Sequence, residues 1–307
     1  VYKRQDRTWE IIVKTAGSLD RIRGIYTNAE FTQLLCGYWI VRTTIDNIEA
    51  LATEPEIIFI EKPKALYFEL YAAKSEACVN VAKAEETQYG GVTGKGVLVA
   101  VIDSGIDISD NEFLDDSGNT RIKALWDQTT GITYSDMEIN SILEDYRNGA
   151  VKTLPAIDVT GHGNEVAVIA CGRSGVASDA DILIVKLGNS GGNAYIRTTQ
   201  IMKGVDYCIR KAIEYSQPVV VNISYGGTYG NHEGSSIFEM FIDDCCSTYR
   251  CSICIGVGNE GEGRTHYSGQ LISGNVLDAE LAIGDYEPQI SIPVSYTHLT
   301  LPTNSRV

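Results

Sequence analysis

The chain has 307 residues, 44% hydrophobic and 21% charged, with a formal net charge of −15. This is the composition of a globular protein with room for one large domain and a small companion, and it excludes collagen-like, disordered and low-complexity classes. The negative charge repels phosphate backbones and anionic lipid, and no apolar run reaches the ~20 residues of a membrane span, so neither nucleic acid nor membrane is expected as a partner.

In chain order, residues 9–66 read as one compact unit. WEIIVK is strand-like, LDRIRGIY is helix-like, a short strand falls near Phe31–Leu35, and GYWIVRTT alternates as a strand does. IDNIEALATEP follows as a helix, with Asp46 near its start and Pro55 ending it, and IIFIEKP is the last strand. The order βαββαβ predicts a small ferredoxin-like sandwich. Residues 67–92 read as a polar connector ending in YGGVTGKG. That ending fails the phosphate-loop pattern, because Gly96 rather than Ser or Thr follows Lys95.

Beyond the connector the pattern changes. VLVAVID, DILIVKLG, PVVVNIS and CSICIGVG are continuous apolar runs, as in strands covered on both faces of a parallel sheet. Helical patterns lie between them: Ile201, Val205, Ile209 and Ile213 fall four apart, and so do Phe238, Ile242 and Cys246. The predicted fold is therefore α/β, a doubly wound parallel sheet over residues 93–294. Residues 115–158 read as an acidic, irregular insertion within it. The nearby run DNEFLDDSGN departs from the EF-hand ligand pattern and reads as a solvated loop.

Of the eight cysteines, Cys251 and Cys254 form a C-x-x-C, but no second pair stands at ligand spacing. Cys245 and Cys246 fall on apolar helix positions beside Ile242. The reading is of reduced, core-filling thiols rather than disulfides or a metal site.

In such a sheet ligands bind at the carboxyl ends of the strands. Those ends carry Asp103, Lys186 and Gly188, Ser224 to Gly227, and Asn259, while His162 opens a helix in GHGNEVAVIA. Taken singly, His162 and Asn259 also read as turn residues, and Ser224 to Gly226 as a strand ending. Together, an acid that orients an imidazole and an amide donor on a third strand end are parts of a nucleophilic acyl-transfer site. A dinucleotide-binding reading is disfavoured, since no G-x-G-x-x-G follows any strand.

In order, VLVAVIDSGID, GHGNEVAVIACG, GVASDADILIVKLG, VVNISYGG and GVGNEG resemble the successive blocks of the subtilisin-like serine proteases. Residues 9–66 resemble the inhibitory propeptide that precedes the protease in that family. The resemblance implies that Asp103 orients His162, that His162 is the general base, and that Asn259 donates to the oxyanion. It also implies that Ser224, Tyr225 and Gly226 form the edge that pairs with extended substrate backbone. A polypeptide substrate and the chain's own propeptide-like domain are the implied partners, with no cofactor, and an extracytoplasmic location is what the family favours.

Several departures stand out. Asn164-Glu165 replaces the usual Thr-His, and Val168 replaces a glycine. GRSGVASDA is too short for the calcium-binding loop of many relatives, so no metal is expected there. No Gly-Thr-Ser nucleophile block occurs anywhere. The tail SYTHLTLPTNSRV, residues 295–307, breaks from the preceding pattern like a read-through end, as does the opening VYKRQ. The expectation is a C-terminally truncated serine endopeptidase whose serine lies beyond the fragment, which is itself inactive. The alternative is a catalytically inactive homologue acting as a binding or regulatory protein.

Overall fold

The computed structural model describes residues 8–63, 65–68, 91–188, 196–227 and 233–258. The N-terminal unit runs β1 (Thr8–Thr15), α1 (Asp20–Ile25), β2 (Glu30–Gln33), β3 (Tyr38–Thr44), α2 (Ile45–Leu51) and β4 (Ile57–Glu61), with a 3-10 turn at Leu35–Gly37 before β3. Its sheet has the order β2-β3-β1-β4, every neighbouring pair antiparallel.

Strand alternation divides its apolar residues between two cores. Ile11, Val13, Trp39 and Val41 pack with Leu19, Ile22 and Leu51 under the unit's own helices. Ile12, Tyr38 and Ile40 point the other way and, with Leu34, join the core of the larger domain. An antiparallel sheet often leaves one face to water. In this one the central strands β1 and β3 bury side chains on both faces, while the edge strands β2 and β4 keep exposed residues.

The larger domain is built on a six-stranded sheet of order β13-β11-β6-β9-β7-β8. Its members are β6 (Leu98–Asp103), β7 (Ile122–Asp127), β8 (Ile132–Ser135), β9 (Asp181–Lys186), β11 (Val219–Ile223) and β13 (Cys251–Ile255). All neighbours are parallel except β7 and β8. The helices are α3 (Asp136–Arg147), α4 (His162–Cys171), α5 (Thr198–Tyr215) and α6 (Ile237–Thr248). Every residue of the central strand β6 is buried. Leu98, Ala100 and Ile102 face α5 and α6, while Val99 and Val101 face α3 and α4. That two-sided cover is what the unbroken apolar runs predict.

The structure corrects four local readings. Residues 115–158 are not irregular, for they supply β7, β8 and α3. Lys123 interrupts the apolar run of β7, where the pairing with β9 also shifts register, and this hides the strand in the sequence. The capping box that starts α3, Ser135 with Glu138, is legible as S-x-x-E once sought. On α5 the four-residue spacing drifts off the core face, leaving Ile213 exposed while Ile201, Val205 and Ile209 are buried. The inner face of α6 is Ile237, Phe241, Ile242 and Cys245, and Cys246 is exposed. Finally, β13 pairs only with β11 among the described strands and exposes Ser252, Cys254 and Ile255, so it is not covered on both faces.

A third, three-stranded sheet links the two parts. β5 (Ala65–Phe68) lies between β10 (Ile196–Arg197) and β12 (Tyr225–Gly226), antiparallel to both. Phe68 is opposite Tyr225 and Tyr67 opposite Gly226; Leu66 is opposite Ile196. The N-terminal unit leads directly into this strand.

Polar contacts fix how the unit sits on α5 and α6. The Glu61 carboxylate accepts from the Ile237 N–H at 2.6 Å, at the positive end of α6. Glu10 accepts from the Thr199 hydroxyl at 2.6 Å in the first turn of α5. Lys14 Nζ and the Tyr38 hydroxyl both donate to Asp244, at 2.7 and 2.9 Å. Magnitudes rank these contributions. Four buried apolar side chains at about 1.5–3 kcal/mol each outweigh exposed ion pairs at about 0–1 kcal/mol each. Apolar burial drives docking, and the polar contacts set its register.

The approach of α4 to β6 positions the site. A Cβ on Gly163 would stand 2.5 Å from the Gly105 carbonyl oxygen and 3.0 Å from the Asp103 Cβ. Only a glycine lets the first turn of α4 lie against the end of β6. Gly163→Ala is therefore expected to lower stability by about 1–3 kcal/mol through overpacking, measured by denaturant unfolding. A loss below about 0.5 kcal/mol would mean that the helix start can shift freely.

The Lys14 ammonium, with the Tyr38 hydroxyl, holds the Asp244 carboxyl below its ordinary range against a smaller opposing effect of burial. A carboxyl depressed in the docked state stabilises docking above its free pKa of about 4 and loses that contribution as pH falls through the docked value. Asp244→Asn should therefore narrow the stability difference between pH 6 and pH 3, read from thermal unfolding at each pH. An unchanged difference would show that Asp244 has no part in it.

Candidate active site

Asp103 ends β6 and is 1% exposed. Its Oδ1 lies 2.7 Å from His162 Nδ1 across 59 positions of sequence. A carboxylate accepts hydrogen bonds, so Nδ1 carries the proton and Nε2 is the ring nitrogen whose chemistry is that of an acceptor. The same Oδ1 accepts from the Ser104 N–H at 2.7 Å. Asp103 Oδ2 is buried with no hydrogen-bond partner among the described residues.

A polar network that the sequence reading passed over supports this pair. The Ser104 hydroxyl accepts from the Gly163 N–H at 3.0 Å and donates to Asp158 Oδ1 at 2.8 Å. The Thr160 hydroxyl reaches Ser104 Oγ at 3.0 Å and Asp158 Oδ1 at 2.9 Å. Asp158 Oδ2 accepts from the Asn164 N–H at 2.9 Å. Burial pushes the Asp158 carboxyl up, but hydrogen bonds from Asn164, Ser104 and Thr160 outweigh it and hold the group below its ordinary value. Asp158 stays ionised and ties the loop before α4 to the residue after Asp103. Its signal was the spacing of Asp158 and Thr160 before His162, a local side-chain turn at a helix start.

Tyr225 lies edge-on to the His162 ring, with centroids 6.4 Å apart and planes at 65°. It is 3% exposed, and burial, then the charges of Asp103 and Asp158, push its phenol well above the ordinary range. It remains neutral at any working pH and packs against the imidazole as an aromatic edge. Ser224 precedes it, its hydroxyl accepting from Asn222 Nδ2 at 2.9 Å. Tyr225 and Gly226 form β12, already paired with β5.

Of the residues singled out in sequence, the structure thus brings Asp103, His162 and Tyr225 into contact and places Ser224 and Gly226 on the adjoining edge. Asn259 lies outside the described residues. Glu165 is exposed. Among the described residues no cluster of His, Cys, Asp and Glu could hold a metal ion, and no helix is long and apolar enough to cross a membrane.

The arrangement can orient an imidazole, leave one ring nitrogen as a base, and present a strand edge beside it. Comparison with known proteins bears on the same residues. The Csp protease B prodomain family matches residues 1–64, and the Subtilase family matches residues 94–282. Subtilisin-like protease 5 of Arthroderma benhamiae is 28% identical over 211 residues, 64% of this chain and 46% of that protein. Its counterpart from Arthroderma gypseum is 27% identical over 60% of this chain and 41% of its own length. The solved Clostridium perfringens CspB protease is 36% identical with a TM-score of 0.51, over 55% of this chain and 37% of that one. The chain thus spans less than half the length of each of these relatives. The Subtilase match takes in β6, α4 and β12 together, and the prodomain match takes in the sheet that precedes them, so the chain belongs to the subtilase family of serine proteases.

Proposed function

We propose that the whole protein is a serine endopeptidase, and that this chain carries its prodomain, residues 9–66, and the acid–base half of its catalytic site. One observation carries the reading: a peptide strand, β5, is paired to β12 directly beside the hydrogen-bonded Asp103 and His162. In this reading His162 Nε2 takes the proton of a serine hydroxyl as that oxygen attacks the scissile carbonyl, and later gives it to the leaving amine. Asp103 keeps the imidazole in the required tautomer and stabilises its charged form. Asn259, by resemblance, donates to the oxyanion. Ser224, Tyr225 and Gly226 hold the substrate backbone as an added antiparallel strand, so any extended polypeptide can bind through its main chain. β5 occupies that edge as an intramolecular, substrate-like inhibitor; the boundary read after residue 66 therefore falls inside β5, and residues 69–92 are the linker between inhibitor and enzyme.

The serine is the missing part. Without a Gly-Thr-Ser block the 307 residues supply a base with nothing to deprotonate. A fluorophosphonate probe should leave this chain unlabelled. It should label a chain extended to a downstream Gly-Thr-Ser block, and His162→Ala should abolish that labelling. Stoichiometric labelling of the 307-residue chain would show that it already holds the nucleophile. An extended chain that binds peptides without being labelled would be the inactive binding protein instead.

A further inference from the structure

We propose that Arg197 is a specificity-determining residue of the cleft, selecting extended peptides that carry an Asp or Glu three residues before the one seated opposite Tyr225. This rests on the reading of the gap between β10 and β12 as the place where substrate backbone binds. In that gap β5 fixes a register: Phe68 stands opposite Tyr225, Leu66 opposite Ile196 and Ala65 opposite Arg197. Residues directly opposite each other in an antiparallel pair share a face, with Cβ atoms about 4.5–5.5 Å apart. A substrate carboxylate at the register of Ala65 therefore comes within reach of the Arg197 guanidinium.

The N-terminal unit already supplies a carboxylate there, but from another strand. Arg197 NH1 lies 3.9 Å from Glu10 Oε1 of β1, and no other carboxylate is ion-paired with Arg197 among the described residues. Glu10 is 7% exposed and well satisfied without Arg197. Its Oε1 accepts from the Thr199 hydroxyl at 2.6 Å, and its Oε2 pairs with Arg42 of the same small sheet at 3.5 Å. When the unit leaves α5, Glu10 keeps Arg42. Arg197 stays on the larger domain and loses the one carboxylate it had. Glu10 thus stands in for an acidic side chain that β5, with Ala65 at that register, does not bring.

Arg197 is placed to make the exchange. Its N–H donates to Gln200 Oε1 at 2.9 Å, and Thr198, Thr199 and Gln200 are buried, so the guanidinium is carried by a fixed backbone at the start of α5. Its side chain is 30% exposed, wet enough to trade one carboxylate for another. A pair so exposed is screened by water, so the expected effect is a preference of about two- to five-fold and no absolute requirement.

The test needs no proteolytic activity, because in the 307-residue chain β5 is itself the bound strand. Ala65→Glu and Ala65→Gln are each made with Arg197 intact, with Arg197→Gln and with Arg197→Lys, and hydrogen exchange of the β5 amides is followed at low salt and pH 7. With Arg197 intact, Ala65→Glu should slow exchange about two- to five-fold relative to Ala65→Gln. Arg197→Gln should erase the difference, Arg197→Lys should restore part of it, and added salt should shrink it. An Arg197 change that merely loosens the N-terminal unit would speed both Ala65 variants alike, and their ratio stays readable. Equal exchange in the two variants, or a difference that survives Arg197→Gln, would overturn the proposal. In a chain extended to a downstream Gly-Thr-Ser block, kcat/KM should be about two- to five-fold higher for a peptide with Glu at that position than with Gln, and Arg197→Gln should equalise them. Hydrolysis of both peptides at one rate would count against Arg197 as the selector. Hydrolysis of neither would count against the protease reading, with Arg197 then judged by the exchange ratio.

Discussion

A four-stranded sheet with apolar side chains on both faces cannot stand in water with one face bare. Ile12, Leu34, Tyr38 and Ile40 must be covered, and α5 and α6 cover them. Most of the remaining arrangement follows from that cover. The sheet's alternation fixes which residues face the helices, and a register slip of one would turn the wrong set outward. Once the sheet is seated, β4 ends beside α6 and the chain has only Lys62 to Lys64 before β5 begins. So short a link leaves β5 few places to go, and it enters the gap between β10 and β12.

The same economy of distance governs the Asp103–His162 pair. The two groups come from a strand end and a helix start separated by two further strands and a helix in sequence. Their hydrogen bond exists because Gly163 removes the one atom that would hold α4 away from β6. The Ser104–Asp158–Thr160 network then fixes the loop before α4, so the imidazole is oriented from below by Asp103 and at its edge by Tyr225. Both carboxylates are engaged: Asp103 Oδ1 with the ring and the Ser104 N–H, Asp158 with hydroxyls and a backbone N–H.

What the sequence made legible were features in which one local rule dominates. Unbroken apolar runs announced buried parallel strands, and VAVIDSG and GHGNEV carried Asp103 and His162 in blocks that resemble a family. What it hid were features set by tertiary contact. β7 was lost because Lys123 breaks its apolar run, and its burial depends on β9 rather than on its own composition. The inner face of α6 was misplaced by one position because four-residue spacing drifts against a 3.6-residue turn, which moved Cys246 outward and Cys245 inward. Asp158 and Ser104 were legible as polar residues, but their joint role requires two segments 54 positions apart to meet. Asn259 lies outside the described residues, and its role rests on the GVGNEG block alone.

The interface and the cleft are energetically one system. In the proposed reading, an incoming polypeptide would compete for the β12 edge with a strand already attached to the same molecule, whose effective concentration is set by the short path from β4 rather than by diffusion. Main-chain pairing of β5 to β10 and β12 covers two residue pairs on each side, each hydrogen bond of modest net value, and the apolar docking of the domain behind it adds to that hold. In that reading, anything that tightens the docking, such as the ion pair at Asp244, acts on access to His162 without touching it. Conversely, cutting the chain after β5 would leave the strand in place, since its anchor lies on the N-terminal side. Access would open only when the sheet leaves α5 and α6.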